Sequence, residues 1–468
     1  MNELQAYRLA IGSEYVLTGE DTVRWQSDWT GQYKAQPLAV LRPSSTEQVQ
    51  ACLRIASQQN QAVVPAGGIT GLNGGTVTDG GIILSLDRLN RILDIRPEAH
   101  IAIVEAGAIL ANIHDAVEAH DLVFPLTFGA KGSACIGGCM ATNAGGSNVL
   151  RYGNTRDLIL GLEVVLASGE VMDLMSELHK DNSGYNLKHL MIGSEGTLGV
   201  ITKAVLKLMP KPCAYASAMV AAKSLDDALV LLNRLQQETG GKVEAFEYMP
   251  REYMDTLLKI KPNMREPFEM KHEVNIFVEV ATTIPSEGAP NDTGAIPLIE
   301  NFQTLLMELH DEGALLDAVV AQNEAERREM WTRREAAAEV QMNQPPILVN
   351  DIALPLDKIS TFLNRAEERL KVFDGITENK TVCHLGDGNI HYVQWIKPEK
   401  IDQKNAIMEA VEDLVLELGG SFSAEHGIGV SKLPSMARRK DKVALAAMKG
   451  IKDTLDPQGI MNPGKLLP

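Results

Sequence analysis

The chain has 468 residues, 45% apolar and 22% charged, enough for at least two globular domains with cores of their own. A formal net charge of −17 excludes nucleic acid as the general partner, and no apolar run reaches the ~18–20 residues that span a bilayer. Cys52, Cys135, Cys139, Cys213 and Cys383 are odd in number and scattered, which implies neither a disulfide framework nor a zinc ribbon. Met1-Asn-Glu-Leu-Gln5 lacks the basic and apolar regions of a signal peptide, so the cytoplasm is the expected compartment. Arg438-Arg-Lys440, with Lys442, reads as a solvated helical face; a docking patch for an electron acceptor or a membrane surface is the alternative.

In chain order, residues up to about Tyr33 read as an irregular lead-in, with Trp25 and Trp29 as packing residues. Ser45-Thr-Glu-Gln48 matches a capping box, and Val49, Cys52, Leu53 and Ala56 then mark one apolar helix face. A strand at Ala62–Val64 enters a first glycine cluster, Pro65-Ala-Gly-Gly-Ile-Thr-Gly-Leu-Asn-Gly-Gly75. Strands at Ile82–Leu86, Ile92–Ile95 and Ile101–Glu105 and a helix at Ala108–His120 are predicted next. A second cluster, Gly129–Gly146, holds six glycines in eighteen residues, with Ser133, Thr142 and Asn143 among them. Strands near Leu158–Leu166 and Gly199–Leu208 complete an α+β pattern rather than a regular doubly wound sheet. Each cluster alone reads equally well as tight turns. Together they fit a large anionic ligand held at two places by backbone N–H groups. Neither has the GxGxxG or Walker A spacing.

Pro210-Lys-Pro212 marks a domain boundary. Beyond it the predicted elements are a helix at Leu225–Gln237, strands at Val243–Tyr248 and Val274–Ala281, a helix at Ile296–Asp311 and a strand at Leu315–Val320. A single helix at Asn323–Met342, a strand at Ile347–Leu354, a helix at Leu356–Val372 and one near Lys404–Leu418 follow. His384-Leu-Gly-Asp-Gly-Asn-Ile-His391 places two histidines around a hairpin turn, with Asp387 as a turn residue. In Ser423-Ala-Glu-His-Gly-Ile-Gly429, Glu425 could complete a His2Glu metal set with an open position, leaving His426 as a base. On spacing alone, a satisfied structural histidine pair is the stronger reading.

With Arg151-Tyr-Gly153, Gly161–Gly169 and Lys180–Gly199, the two clusters resemble the FAD domain of the vanillyl-alcohol-oxidase superfamily, and within it the FAD-dependent D-2-hydroxyacid dehydrogenases. The resemblance runs from roughly Trp25 to the end. It implies a two-part PCMH-type FAD-binding domain over residues 1–211, with its core at about 34–211. It also implies a substrate (cap) domain over 212–420, an antiparallel sheet covered by helices, and a segment 421–468 that returns to the FAD domain.

The cofactor-binding positions it implies are Pro65, Gly67, Gly68, Ile69, Thr70, Gly71, Leu72, Pro125, Gly129, Ala130, Ser133, Ile136, Gly137, Thr142, Asn143, Gly145, Gly146, Glu195, Gly196, Gly199, Ile201 and Asn462. Ile69 stands where covalent-flavin members carry a histidine, so non-covalent FAD is expected. His384, His391 and Glu425 correspond to the family's divalent-metal ligands, usually for Zn2+, with Mn2+ or Co2+ as alternatives, and His426 to its catalytic base. Arg334 aligns with the carboxylate-binding arginine, Arg333 being its rival, and Asn389 and His426 join it in the substrate site. Ala338 and Val349 depart from the polar residues expected of D-2-hydroxyglutarate enzymes.

The implied reaction is hydride transfer from a D-2-hydroxyacid to flavin N5, giving the 2-oxoacid. D-2-hydroxyglutarate is the first expectation, D-lactate the second, and D-malate a further candidate. A quinone or an electron-transfer flavoprotein would accept the electrons. The chain is expected not to be transmembrane, with peripheral membrane contact and a homodimer as further possibilities. A flavin-carrying subunit of a glycolate-oxidase-like complex is the alternative of another class, and a flavin-free metal hydrolase the third.

Overall fold

The computed structural model describes residues 3–468, so Met1 and Asn2, which open the expected FAD domain, lie outside the described residues. The chain divides into two compact units: Met1–Gly146 with Tyr152–Pro210 and Glu425–Pro468, and Ser147–Arg151 with Lys211–Ala424.

The first unit contains two sheets. One orders its strands Val16–Leu17, Ala39–Leu41, Ile82–Ser85, Val63–Ala66, the last three parallel. Parallel strands need crossover connections, and helix Thr46–Gln59 makes the one from Ala39–Leu41 to Val63–Ala66, which flank Ile82–Ser85. Ser45 Oγ accepts from Gln48 N at 3.3 Å, while Gln48 Oε1 accepts from Ser44 N at 2.8 Å. The reciprocal half of the capping box has thus moved one residue back. Val49, Cys52, Leu53 and Ala56 are buried as their period requires. The other sheet is antiparallel, in the order Ile92–Arg96, Ile101–Glu105, Val200–Lys207, Ile159–Val165, Val171–Leu174.

Three expectations in this unit are corrected. The lead-in is not irregular: helix Gln5–Ile11 opens it, because Leu4, Tyr7 and Ile11 fall on one face and are buried in the core. Trp25 packs against Val40, Val64, Ala66 and Ile83, but Trp29 is 56% exposed and packs no core. Helix Ile136–Thr142 lies inside the second glycine cluster, where no helix was predicted.

The end of the chain belongs to the same unit. Met461 pairs with Val63 in a parallel bridge, and Ile460 and Met461 are buried in its core. Lys452 Nζ donates to Thr197 O and Met461 O, both at 2.7 Å, and Lys465 Nζ to Val77 O at 2.7 Å.

The second unit is built on an eight-stranded antiparallel sheet. Its order is Asp317–Val320, Ala214–Ala222, Val274–Thr282, Val243–Pro250, Val382–His384, Asn389–Ile396, Ile347–Ala353, with Ile376–Asn379 also pairing Asn389–Ile396. Every residue of Val274–Thr282 is buried, so both faces of the sheet are covered. Leu225–Glu238, Pro297–Asp311, Ile359–Leu370 and Lys404–Glu417 pack on one face. Arg251–Ile260, Glu324–Glu335 and Ala337–Gln341 pack on the other. The single helix expected over Asn323–Met342 is two helices, broken at Ala336, where ψ rises to 0°. Among the described residues no helix is long and apolar enough to cross a membrane.

Candidate active site

In the first unit the strand Val63–Ala66 runs directly into the first glycine cluster. Its glycines do two different jobs. A Cβ at Gly68 would sit 2.0 Å from Ser133 O, and one at Gly67 3.1 Å from Cys135 Cβ, so here the two clusters touch backbone to backbone. Gly137 likewise lies against Ala106, to whose carbonyl its N–H donates at 2.7 Å. Gly71, Gly129, Gly132 and Gly138 instead border open space, with nothing within 4 Å of a built Cβ. Close packing in one subset and clearance in the other is the shape of a cradle for an extended ligand, and it fits FAD.

The surrounding motif residues build its walls. A Cβ at Gly196 would meet Pro65 at 3.0 Å, and one at Gly199 would meet Val164 at 2.6 Å. Gly146, at φ +140°, lies against Thr127 O. Ile69 holds φ +56°, a conformation that strains a β-branched residue. Thr142 Oγ1 donates to Gly138 O at 3.2 Å, and Asn143 Oδ1 accepts from Arg156 N at 2.9 Å. Asn462 Nδ2 donates to Glu195 O at 2.6 Å and Gly75 O at 3.1 Å, tying the returning segment to both motifs. Gly68→Ala should therefore cost about 1–3 kcal/mol by overpacking and release flavin. Gly71→Ala should leave the thermal midpoint of the apoprotein unchanged. Calorimetry and flavin absorbance of the two variants check this.

In the second unit strand register assembles the polar cluster. Strand side chains alternate, and Asp351 stands opposite His391, Ala353 opposite Asn389, and His384 opposite both Asn389 and Glu247. The connecting turn closes because Asp387 N and Gly388 N both donate to His384 O and Gly388 takes φ +88°. Asp387 Oδ1 accepts from Asn389 N at 3.1 Å, as a turn residue does. The rings of His384 and His391 lie edge to face, 5.3 Å between centroids.

Glu247 is the hub. Its Oε1 lies 2.9 Å from His384 Nδ1 and its Oε2 accepts from Arg334 Nε at 2.6 Å. Arg334 Nη2 lies 3.2 Å from His384 Nε2. Burial alone would raise the Glu247 pKa, but the charges and hydrogen bonds of His384 and Arg334 win and hold it at about 2. Arg333, also buried, turns elsewhere: its Nη2 donates to Glu329 Oε1 at 2.7 Å and Arg265 O at 3.0 Å. Arg334 is therefore the arginine beside the histidines. Asn389 Nδ2 donates to Asp351 Oδ1 at 2.9 Å and Ile352 O at 3.0 Å, and Asp351 Oδ1 lies 3.6 Å from His391 Nδ1.

Two residues of this cluster were missed in the sequence. Glu247 sits, with Glu244, in a strand that is otherwise largely apolar and buried, and carboxylates there were the available signal. Asp351 falls on the histidine face by period-two counting from Val349. Residues 421–424 run along Asp351's strand: Ala353 bridges Ser421, and Ala424 N donates to Asp351 O at 3.2 Å. Asp351 and His391, a carboxylate and an imidazole 3.6 Å apart in this unit, are donors of the kind that suit a divalent cation such as Zn2+, Mn2+ or Co2+.

Known proteins bear on both units. The family described as "FAD linked oxidases, C-terminal domain" matches residues 211–466, and "FAD binding domain" matches residues 37–175. A D-2-hydroxyglutarate dehydrogenase of Xanthomonas citri pv. viticola is 36% identical over 95% of this chain and 92% of its own. A mitochondrial D-2-hydroxyglutarate dehydrogenase of Arabidopsis thaliana is 33% identical over 100% of this chain and 81% of its own. Among solved structures, p-cresol methylhydroxylase with substrate bound superposes with a TM-score of 0.76 over 99% of this chain and 96% of its own. At 16% identity that likeness speaks to the fold, which is PCMH-type. With both parts of the fold matched and the relatives aligned nearly end to end, the chain belongs to the FAD-linked oxidases, in their FAD-dependent D-2-hydroxyacid dehydrogenase branch.

Proposed function

We propose that the protein oxidises D-2-hydroxyglutarate to 2-oxoglutarate with the help of a divalent metal, and passes the electrons to a quinone or an electron-transfer flavoprotein. The observation that carries this reading is the cluster of Arg334, Glu247, His384, Asp351 and His391 on one sheet face. The relatives' name supports the choice of acid.

Arg334 holds the substrate's 1-carboxylate, for which a guanidinium fork is suited. Glu247 fixes both that guanidinium and the His384 ring. A carboxylate behind a histidine orients it as a ligand, so His384 joins His391, Asp351 and Glu425 as the donors from which a metal would be held. His426 takes the hydroxyl proton, since an imidazole is the side chain suited to proton transfer near neutral pH. Bound FAD would supply the hydride acceptor and the metal an electrophile for the substrate hydroxyl. Ile69, in place of a histidine, keeps the flavin non-covalent.

One observation favours a second reading, D-lactate or D-malate. Val349 and Val393 are opposite neighbours on the histidine face, and Ala338 lies on the short helix Ala337–Gln341. Apolar residues there suit a shorter acid.

Anaerobic mixing with a panel of D- and L-2-hydroxyacids tests the proposal. D-2-hydroxyglutarate should bleach the flavin absorbance fastest, and chelator should slow bleaching until Zn2+, Mn2+ or Co2+ is restored. Faster bleaching by D-lactate or D-malate would select the second reading. Yellow protein bleached by none would point to a subunit that works only within a complex.

A further inference from the structure

The turn that follows His426 is gripped from two sides inside the first unit. Glu195 Oε1 accepts from Ile428 N and Oε2 from Gly429 N, each at 2.7 Å. From the other side, Asn73 Nδ2 donates to His426 O at 3.0 Å and Gly427 O at 2.7 Å. Asn73's own carbonyl accepts from Val430 N at 2.8 Å. One carboxylate and one carboxamide thus take up four main-chain groups, one from each of residues 426–429.

The fit is tight. Gly427 and Gly429 hold φ of +75° and +51°; a Cβ on Gly427 would stand 2.8 Å from Glu195 Oε1, and one on Gly429 2.2 Å from Asn73 O. Glu195 itself holds φ +51°, a conformation a non-glycine residue adopts only when its surroundings demand it. Its own backbone is anchored: its N–H donates to Ala141 O at 2.8 Å and its carbonyl accepts from Asn462 at 2.6 Å. Burial pushes the Glu195 pKa above the usual carboxylate value, and its two N–H partners only partly offset that.

Both carboxylate oxygens are engaged by the turn. We infer that Glu195 and Asn73 are positioning residues for proton transfer: they fix the main chain beneath His426 so that its imidazole meets the substrate hydroxyl in one geometry. The inference rests on His426 being the base. A glutamine at 195 offers one carbonyl oxygen to one N–H and turns an amide NH2 toward the other. An alanine at 73 releases both carbonyls.

The test is stopped-flow flavin reduction of the holoprotein by D-2-hydroxyglutarate, or by whichever acid of the panel bleaches it fastest. In Glu195→Gln the limiting reduction rate should fall by about 100-fold, the effect of displacing a reacting group by ~1 Å. Apparent substrate affinity should stay near wild type, the rate being read on the flavin-loaded fraction. Asn73→Ala should give the same split, and it decides the matter if Glu195→Gln fails to fold. The double variant should lose little more than either single one. Wild-type reduction rates with flavin bound would overturn the inference. So would flavin loss in which the remaining holoprotein reacts at the wild-type rate, since that would make Glu195 a cofactor contact. If His426→Ala itself reacts normally, it is the base assignment that fails; if only His426→Ala is impaired, the positioning roles fail and the base stands.

Discussion

His426→Ala is expected to lower the limiting rate of flavin reduction by about 10²–10⁴-fold, the usual contribution of a positioned general base, while flavin stays bound. Flavin retention follows from the way the segment is held. Asn73 and Glu195 grip residues 426–429 by their main-chain groups, which alanine leaves in place. The cradle glycines lie elsewhere in the sequence, at 67–71 and 129–146. The measurement is stopped-flow absorbance on a variant whose flavin-to-protein ratio matches wild type. A wild-type reduction rate would remove His426 from proton transfer.

Arg334→Ala should be costly twice over. Its guanidinium compensates the buried Glu247 carboxylate, and truncating one member of a buried pair costs about 3–5 kcal/mol. It is also the proposed anchor for the substrate carboxylate, so KM should rise more than kcat falls. The pH dependence separates the two losses. In the wild type the Glu247 pKa is depressed from 4.5 to about 2, so its stabilisation is complete above about pH 4.5 and is lost as pH falls toward 2. Without Arg334 the carboxylate protonates more readily, and the stability deficit of the variant should shrink on acidification while KM stays high. Denaturant unfolding across that range, with kinetics at neutral pH, checks both parts. An unchanged KM would move the carboxylate contact to another group.

Much of this site was legible in the sequence because its signals are local. The two glycine clusters, the histidines flanking Gly-Asp-Gly-Asn and the Glu425-His426 pair each stand within a short window. The start of helix Thr46–Gln59 was legible for the same reason, at its Ser45 cap, whereas helix Arg251–Ile260 was not expected. Glycine misled where it serves packing. Gly137 and Gly138 lowered the expectation of helix at Ile136–Thr142, yet Gly137 is needed because Ala106 leaves no room for a side chain. Helix Lys442–Leu455 was not expected, although its Ile451 and Leu455 pack against the core of the first unit. Non-local pairings were the least legible. The Glu247–His384 hydrogen bond spans 137 positions and the Glu195–Ile428 bond spans 233. Only strand order and the return of the chain create them.

That return has a consequence for how the protein is made. Residues 211–424 reach the outside of the ribosome before residues 425–468, and at 5–20 residues per second their synthesis takes roughly 10–40 s. Throughout that interval Val63 lacks its Met461 neighbour, Val77 lacks Lys465, and the Glu195 carboxylate is buried by nothing that would compensate it. The nascent first unit waits with an open edge until residues 425–468 arrive. Flavin is therefore expected to bind late in biosynthesis, and a chain stalled before residue 425 should be colourless.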